Sequence, residues 1–147
     1  MEKQITETFK KAFYDSLEQA VMDDKVDYDW LVRLYKELRD RLIKFVRKES
    51  KPYNQIQNDF DDEFFEMLIR NEVFDYYSMR KLIINTFDWI MELQAPQRDE
   101  TTKNAMLKVL DTPYNKIVPV FIKEANECLD LLDDDMNAYL LSKSAQL

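Results

Sequence analysis

Apolar residues crowd most densely between Tyr76 and Leu93. Met79, Leu82, Ile83, Ile84, Phe87, Trp89, Ile90, Met91 and Leu93 leave a thin polar seam of Ser78, Lys81, Asn85, Asp88 and Glu92. The seam residues are spaced 3, 4, 3 and 4 apart, which is one line along a helix. So narrow a wet face predicts a central buried helix, about residues 75–94, capped by Asp75 and covered on most sides. Arg80, Lys81 and Asp88 interrupt it, so it does not read as a membrane span.

Helical periodicity continues on both sides. A first helix is expected from about Thr6 to Asp24, with Ile5, Phe9, Phe13, Leu17, Ala20 and Val21 as its buried stripe. A second starts at the N-cap Asp27 and reaches about Glu49, burying Trp30, Leu31, Leu34, Leu38, Leu42, Phe45 and Val46. Ser50-Lys51-Pro52 breaks the chain, and a short helix over Tyr53–Phe60 follows. Asp61 caps the next, Asp62 to Arg70, with Phe64, Phe65, Leu68 and Ile69 inward, and the stretch 71–74 is a turn. Beyond the central helix, Pro96–Asp99 opens an element that runs to Leu110, with Ala105, Met106, Val109 and Leu110 inside. Pro113 fits the first position of a last helix with Thr112 as cap, and Pro119 either kinks or restarts it. Phe121, Ala125, Cys128, Leu129, Leu132, Met136, Tyr139 and Leu140 keep helical spacing to about Ser142. The expected fold is an all-α, single-domain bundle of six to seven helices over residues 1–147.

Composition sharpens this picture mainly through absences. The chain has no glycine, where average usage predicts about ten in 147 residues. Tight hairpins lean on glycine, and so do phosphate-binding loops, so β-meanders and nucleotide fingerprints are disfavoured. It has no histidine, and its one cysteine, Cys128, reads as a small buried hydrophobe. Triads of the Ser-His-Asp kind and thiolate zinc cages therefore drop out. No cofactor or metal is expected. A net charge of −8 argues against nucleic acid as a partner. The opening Met1-Glu2-Lys3-Gln4 lacks an apolar secretory core, so a cytoplasmic protein is expected.

Three charged stretches remain. Lys44, Arg47, Lys48 and Lys51 gather at the end of the second helix, where cations suit the helix dipole; they would also serve as a basic docking strip. Asp59, Asp61, Asp62 and Glu63 lack the alternation and glycine of a calcium loop and suit a helix start. The segment Ala95-Pro96-Gln97-Arg98-Asp99-Glu100 stops one helix and starts another. Asp99 and Glu100 fit the first turn, but Arg98 is misplaced there unless paired. A carboxylate of the last helix, Asp133, Asp134 or Asp135, would clamp it. Those three neighbours point about 100° apart and cannot converge on one ion.

This segment resembles the Ala-Pro-x-Arg-Asp-Glu signature of the t-complex protein 11 family. A second stretch, Leu131 to Leu141, is similar to the family's leucine-rich helix leading into Asp-Met-Ala-Asn-Phe; here Asp135-Met136-Asn137-Ala138-Tyr139 exchanges two residues and carries Tyr for Phe. The resemblance covers roughly residues 39–142. Gln94 and Gln97 stand where the family tends to carry Cys and Val, and 71–74 lacks the family's usual glycine. Members are usually several times longer, which suggests a compact or truncated relative, of a kind carried by a virus or another fast-evolving lineage. The resemblance marks Pro96, Arg98, Asp99, Glu100, Asp135 and Met136 as signature and candidate interaction residues. It implies a regulatory or scaffold protein linked to cyclic-AMP and protein kinase A signalling, with no catalytic constellation.

The leading expectation is thus a non-enzymatic helical interaction module with a protein partner, self-association remaining open. The alternative is an acidic helical inhibitor or mimic that takes a partner helix in a groove. An enzyme working through paired carboxylates is the third reading, since acids are abundant but none is singled out.

Overall fold

The computed structural model describes residues 2–22, 26–71 and 75–145. Among them are seven α-helices and no strand: α1 (Glu2–Met22), α2 (Tyr28–Ile43), α3 (Lys51–Asp59), α4 (Asp62–Arg70), α5 (Tyr76–Leu93), α6 (Asp99–Leu110) and α7 (Ile117–Ala145). A single 3-10 turn, Pro96–Arg98, joins α5 to α6. Expectations on the side chains of Ile5, Ala20 and Val21, on Asp24, and on the turn at 72–74 fall outside what is described.

Four helices start by the same device. The side chains of Asp27, Ser50, Asp61 and Asp75 accept from the backbone N–H three residues on, at 3.1, 3.3, 3.1 and 3.1 Å. Each satisfies an N–H that the helix leaves unpaired and contributes about 1 kcal/mol. Asp75 also accepts from the Ser78 hydroxyl at 2.7 Å. Those two bonds hold its carboxyl below the usual range.

Two helices share the centre. α5 buries Met79, Leu82, Ile83, Thr86, Phe87 and Ile90 and packs on α4, α6 and α7. α7 packs on α1, α2, α5 and α6, and Ile117, Val118, Phe121, Ile122, Ala125, Cys128, Leu129 and Leu132 enter the same core. Phe87 meets Phe121 edge-on at 6.3 Å where the two helices cross. On the other flank, Tyr35 of α2 stacks on Phe65 of α4 at 4.3 Å and on Phe60 at 5.4 Å. Burial raises its phenol pKa.

Four local expectations need correction. α2 stops at Ile43, not near Glu49, because the bonds switch to Phe45 N–H on Leu42 and Val46 N–H on Ile43. The tighter turn packs both Phe45 and Val46 against the core. Glu49 then takes a left-handed φ of 64°, a position glycine would fill at lower cost. Of the α1 stripe's described side chains only Leu17 is fully buried: Phe13 sits edge-on to Trp30 at 5.7 Å, and Phe9 is 71% exposed. In α4, Phe65 and Leu68 are buried while Phe64 lies at the surface. Finally, Thr112 does not cap a helix at Pro113; its hydroxyl donates to Lys108 O at 2.8 Å, and α7 begins at Ile117. Pro119 falls in the first turn of α7, where its missing N–H is harmless.

Candidate functional site

The corner between α5 and α6 is built from the charged segment. Gln94 leaves the helix in extended conformation, Ala95 stays extended, and Pro96 opens the 3-10 turn closed by Arg98 N–H on Ala95 O at 2.9 Å. Asp99 and Glu100 then occupy the first turn of α6, at the positive end of its dipole. The Gln94 side chain spans the corner. It donates to Asp99 Oδ1 at 2.9 Å and accepts from the buried Thr102 hydroxyl at 2.7 Å. Arg98 reaches across to α7, where its Nε and Nη2 donate to the two oxygens of Asp135 at 3.0 and 2.9 Å. This fork holds the Asp135 carboxyl below its usual range and raises the Arg98 guanidinium, Asp134 adding to the latter.

A second network lies on another side of α7. Arg41 of α2 donates to Asn126 Oδ1 at 2.9 Å, to Asp130 at 2.9 Å and to Asp133 at 2.6 Å. Lys10 of α1 reaches Asp130 at 3.2 Å, which raises its pKa. Three helices are thus pinned at one place. Asp133 and Asp135 are two residues apart, about 200° around the helix, so α7 uses nearly opposite sides for its two fastenings. Asp134, between them, is exposed.

A third feature is open. The polar seam of α5 forms the floor of a groove walled by α3 and the start of α4. It consists of two hollows of about 520 Å³ each that share Asp59 and Asn85. Trp89 stands in its wall, fixed by Nε1 donating to Asp59 Oδ2 at 2.7 Å.

The T-complex protein 11 family model matches residues 1–147, the whole chain. The chain belongs to the T-complex protein 11 family. The match reaches past residues 39–142, the span of the resemblance read from the sequence, and takes in α1 and the start of α2. No solved structure matches the chain.

In this family member the signature is therefore a joint. Arg98 and Asp135 form the clamp, Asp99 is held by Gln94, and Pro96 sets the turn, whereas Glu100 and Met136 lie at the surface. Gln94, a departure from the family pattern, contributes two of the corner's hydrogen bonds. The expected basic strip does not ride on one helix. Lys44, Arg47 and Lys48 lie in the turns after α2, Lys51 opens α3, and all four are exposed with no ion pair among the described residues. Sequence reading missed the role of Arg41. The available signal was the i, i+4, i+7 spacing of Asn126, Asp130 and Asp133, one face of α7 aligned for a cation.

The chemistry of the remaining groups is quiet. Burial pushes the Cys128 thiol up to about 11, so it stays protonated, against the smaller pull of Thr102. Glu124, 7% exposed, is paired with Lys108 at 2.8 Å and raises that lysine. The protein packed around Glu127, together with the Glu124 charge, pushes the Glu127 carboxyl up. The small hollow beside them, about 110 Å³, is lined by Glu124 and Lys108 but not by Glu127. Among the described residues no three His, Cys, Asp or Glu side chains are grouped to hold a metal ion. No described helix is long and apolar enough to cross a membrane.

Proposed function

We propose that this chain is a non-enzymatic interaction module of the T-complex protein 11 family, acting in the cytoplasm as a regulatory or scaffold protein. The setting is the cyclic-AMP and protein kinase A signalling to which the family resemblance points. The observation that carries the reading is the two-bond clamp between Arg98 and Asp135. It engages the signature's most distinctive cation in fastening α6 to α7, so the signature builds a frame rather than a reaction centre. Partners then meet the surfaces that the frame displays.

Affinity capture from cell lysate tests this with three proteins: wild type, Arg98→Glu, and the exchange Arg98→Asp with Asp135→Arg. Melting temperature is measured for each. The expected result is that Arg98→Glu melts lower and loses captured partners in proportion, while the exchange recovers both. Loss of a specific partner at unchanged melting temperature would make Arg98 a contact residue. Absence of any specific partner for the wild type would end the module reading.

The groove along α5 favours a second version of the same idea, an acidic inhibitor or mimic that takes a partner helix.

A further inference from the structure

The charges of the α5 groove are arranged unlike the paired acids of α7. Asp88 and Glu92 are exposed, four residues apart on one face of α5, with Trp89 beside them. Like charges at this spacing repel. Among the described residues neither carboxylate has a cation or hydrogen-bond donor. Asp59 adds a third negative charge from α3, its Oδ2 turned to Trp89. The opposite end of the groove is different: Lys81 lies over the Tyr77 ring at 4.7 Å, and Asp61 is occupied as the cap of α4. One end is thus acidic around an indole and a proline, Pro52, and the other is not.

Geometry limits what such a groove accepts. Its walls are helices, whose backbone groups are already paired, so an extended peptide would find no sheet edge to join. A helix brings its own hydrogen bonds and offers side chains alone. From Ser78 to Glu92 the floor spans fifteen residues of α5, about 21 Å from first to last, room for a helix of three to four turns. Two cations one turn apart on that helix would face Asp88 and Glu92, which lie about 6 Å apart along the axis.

We propose that this groove binds an amphipathic basic helix of a partner protein. Its Lys or Arg side chains pair with Asp88 and Glu92, and an apolar side chain packs against Trp89 and Pro52. The proposal rests on the interaction-module reading and gives it a site and a partner chemistry.

The test uses a fluorescein-labelled Leu/Lys/Ala helical peptide of about 15 residues, a counterpart with Glu for Lys, and fluorescence anisotropy with the full chain. Wild type is compared with Asp88→Lys/Glu92→Lys. A second charge-matched pair, Glu37→Lys/Asp134→Lys, alters exposed acids outside the groove. The expected result is binding of the Lys peptide alone, weakened about tenfold or more by the groove pair and less than about threefold by the other. Asp88→Asn/Glu92→Gln guards against a misfolded reversal and should weaken binding by about fivefold. Wild type that ignores the Lys peptide, or equal losses in both charge-reversed pairs, would overturn the proposal. The module reading fails separately, in the capture experiment; a groove variant that keeps every captured partner would remove the groove and leave the module.

Discussion

Two acidic faces of this molecule teach opposite lessons. On α7, Asp130, Asp133 and Asp135 each meet a cation from another helix, Arg41 and Lys10 on one side and Arg98 on the other. On α5, Asp88 and Glu92 meet none among the described residues. In sequence each is a set of acids spaced along one helix. The difference lies in what packs alongside. α7 is surrounded by α1, α2, α5 and α6, so its charges become joints, whereas the α5 seam faces the groove and solvent. Charge on a helix therefore says little about purpose until the neighbouring helices are in place.

The comparison breaks most visibly at Arg41. Arg41→Ala leaves Asp130 and Asp133 without their fork and unpins α2 from α7. A cost of about 1–3 kcal/mol is expected, the lower part of the range because the carboxylates are partly exposed. That is a fall of about 2–4 °C in Tm for each kcal/mol at this chain length, read by thermal melting followed by circular dichroism. At the corner, Arg98→Ala should lower Tm by less, since Arg98 is more exposed than Arg41 and holds one carboxylate rather than two. A double-mutant cycle of Arg98→Ala with Asp135→Ala should show coupling, with the double variant melting no lower than the worse single one.

Thr102→Val is a smaller break. It removes the donor to Gln94 Oε1 and should cost about 1 kcal/mol by urea unfolding. Acid separates the faces further. Because Arg98 holds Asp135 below its ordinary 3.8, the stability from this pair is present above that value and is lost as pH falls through the lower folded one. The gap between wild type and Asp135→Asn in urea midpoint should therefore narrow as pH drops from about 5 to about 3.

The fold was legible where one element's own pattern decides it. The bounds of α5 and its Asp75 cap follow from dense apolar spacing and a capping residue, as do the start and end of α4. It was less legible where coverage decides. Phe9 keeps helical spacing with Leu17, but periodicity shows which face can be buried and not what lies over it; Leu17 meets the core and Phe9 does not. The end of α2 was hidden because Phe45 and Val46 keep helical apolar spacing beyond Ile43, and Glu49, not glycine, takes the left-handed position in the Arg47–Ser50 turn that follows. That Arg98 needed a carboxylate of the last helix could be argued from its place at a helix start. Which of Asp133, Asp134 and Asp135 it takes could not, since that depends on the rotation of α7 against α6. Arg41 was further out of reach, its partners lying 85 to 92 residues away in the chain.

The most direct measurement is a side-by-side thermal melt of two isosteric pairs, Asp133→Asn/Asp135→Asn on α7 and Asp88→Asn/Glu92→Gln on α5. If α7 charges are joints and α5 charges are free, the first pair lowers Tm. The second leaves it unchanged or raises it slightly, by relief of about 0.2–0.5 kcal/mol of repulsion. A second pair that melts as low as the first would show that the groove acids hold the fold together, and the distinction between the two faces would be lost.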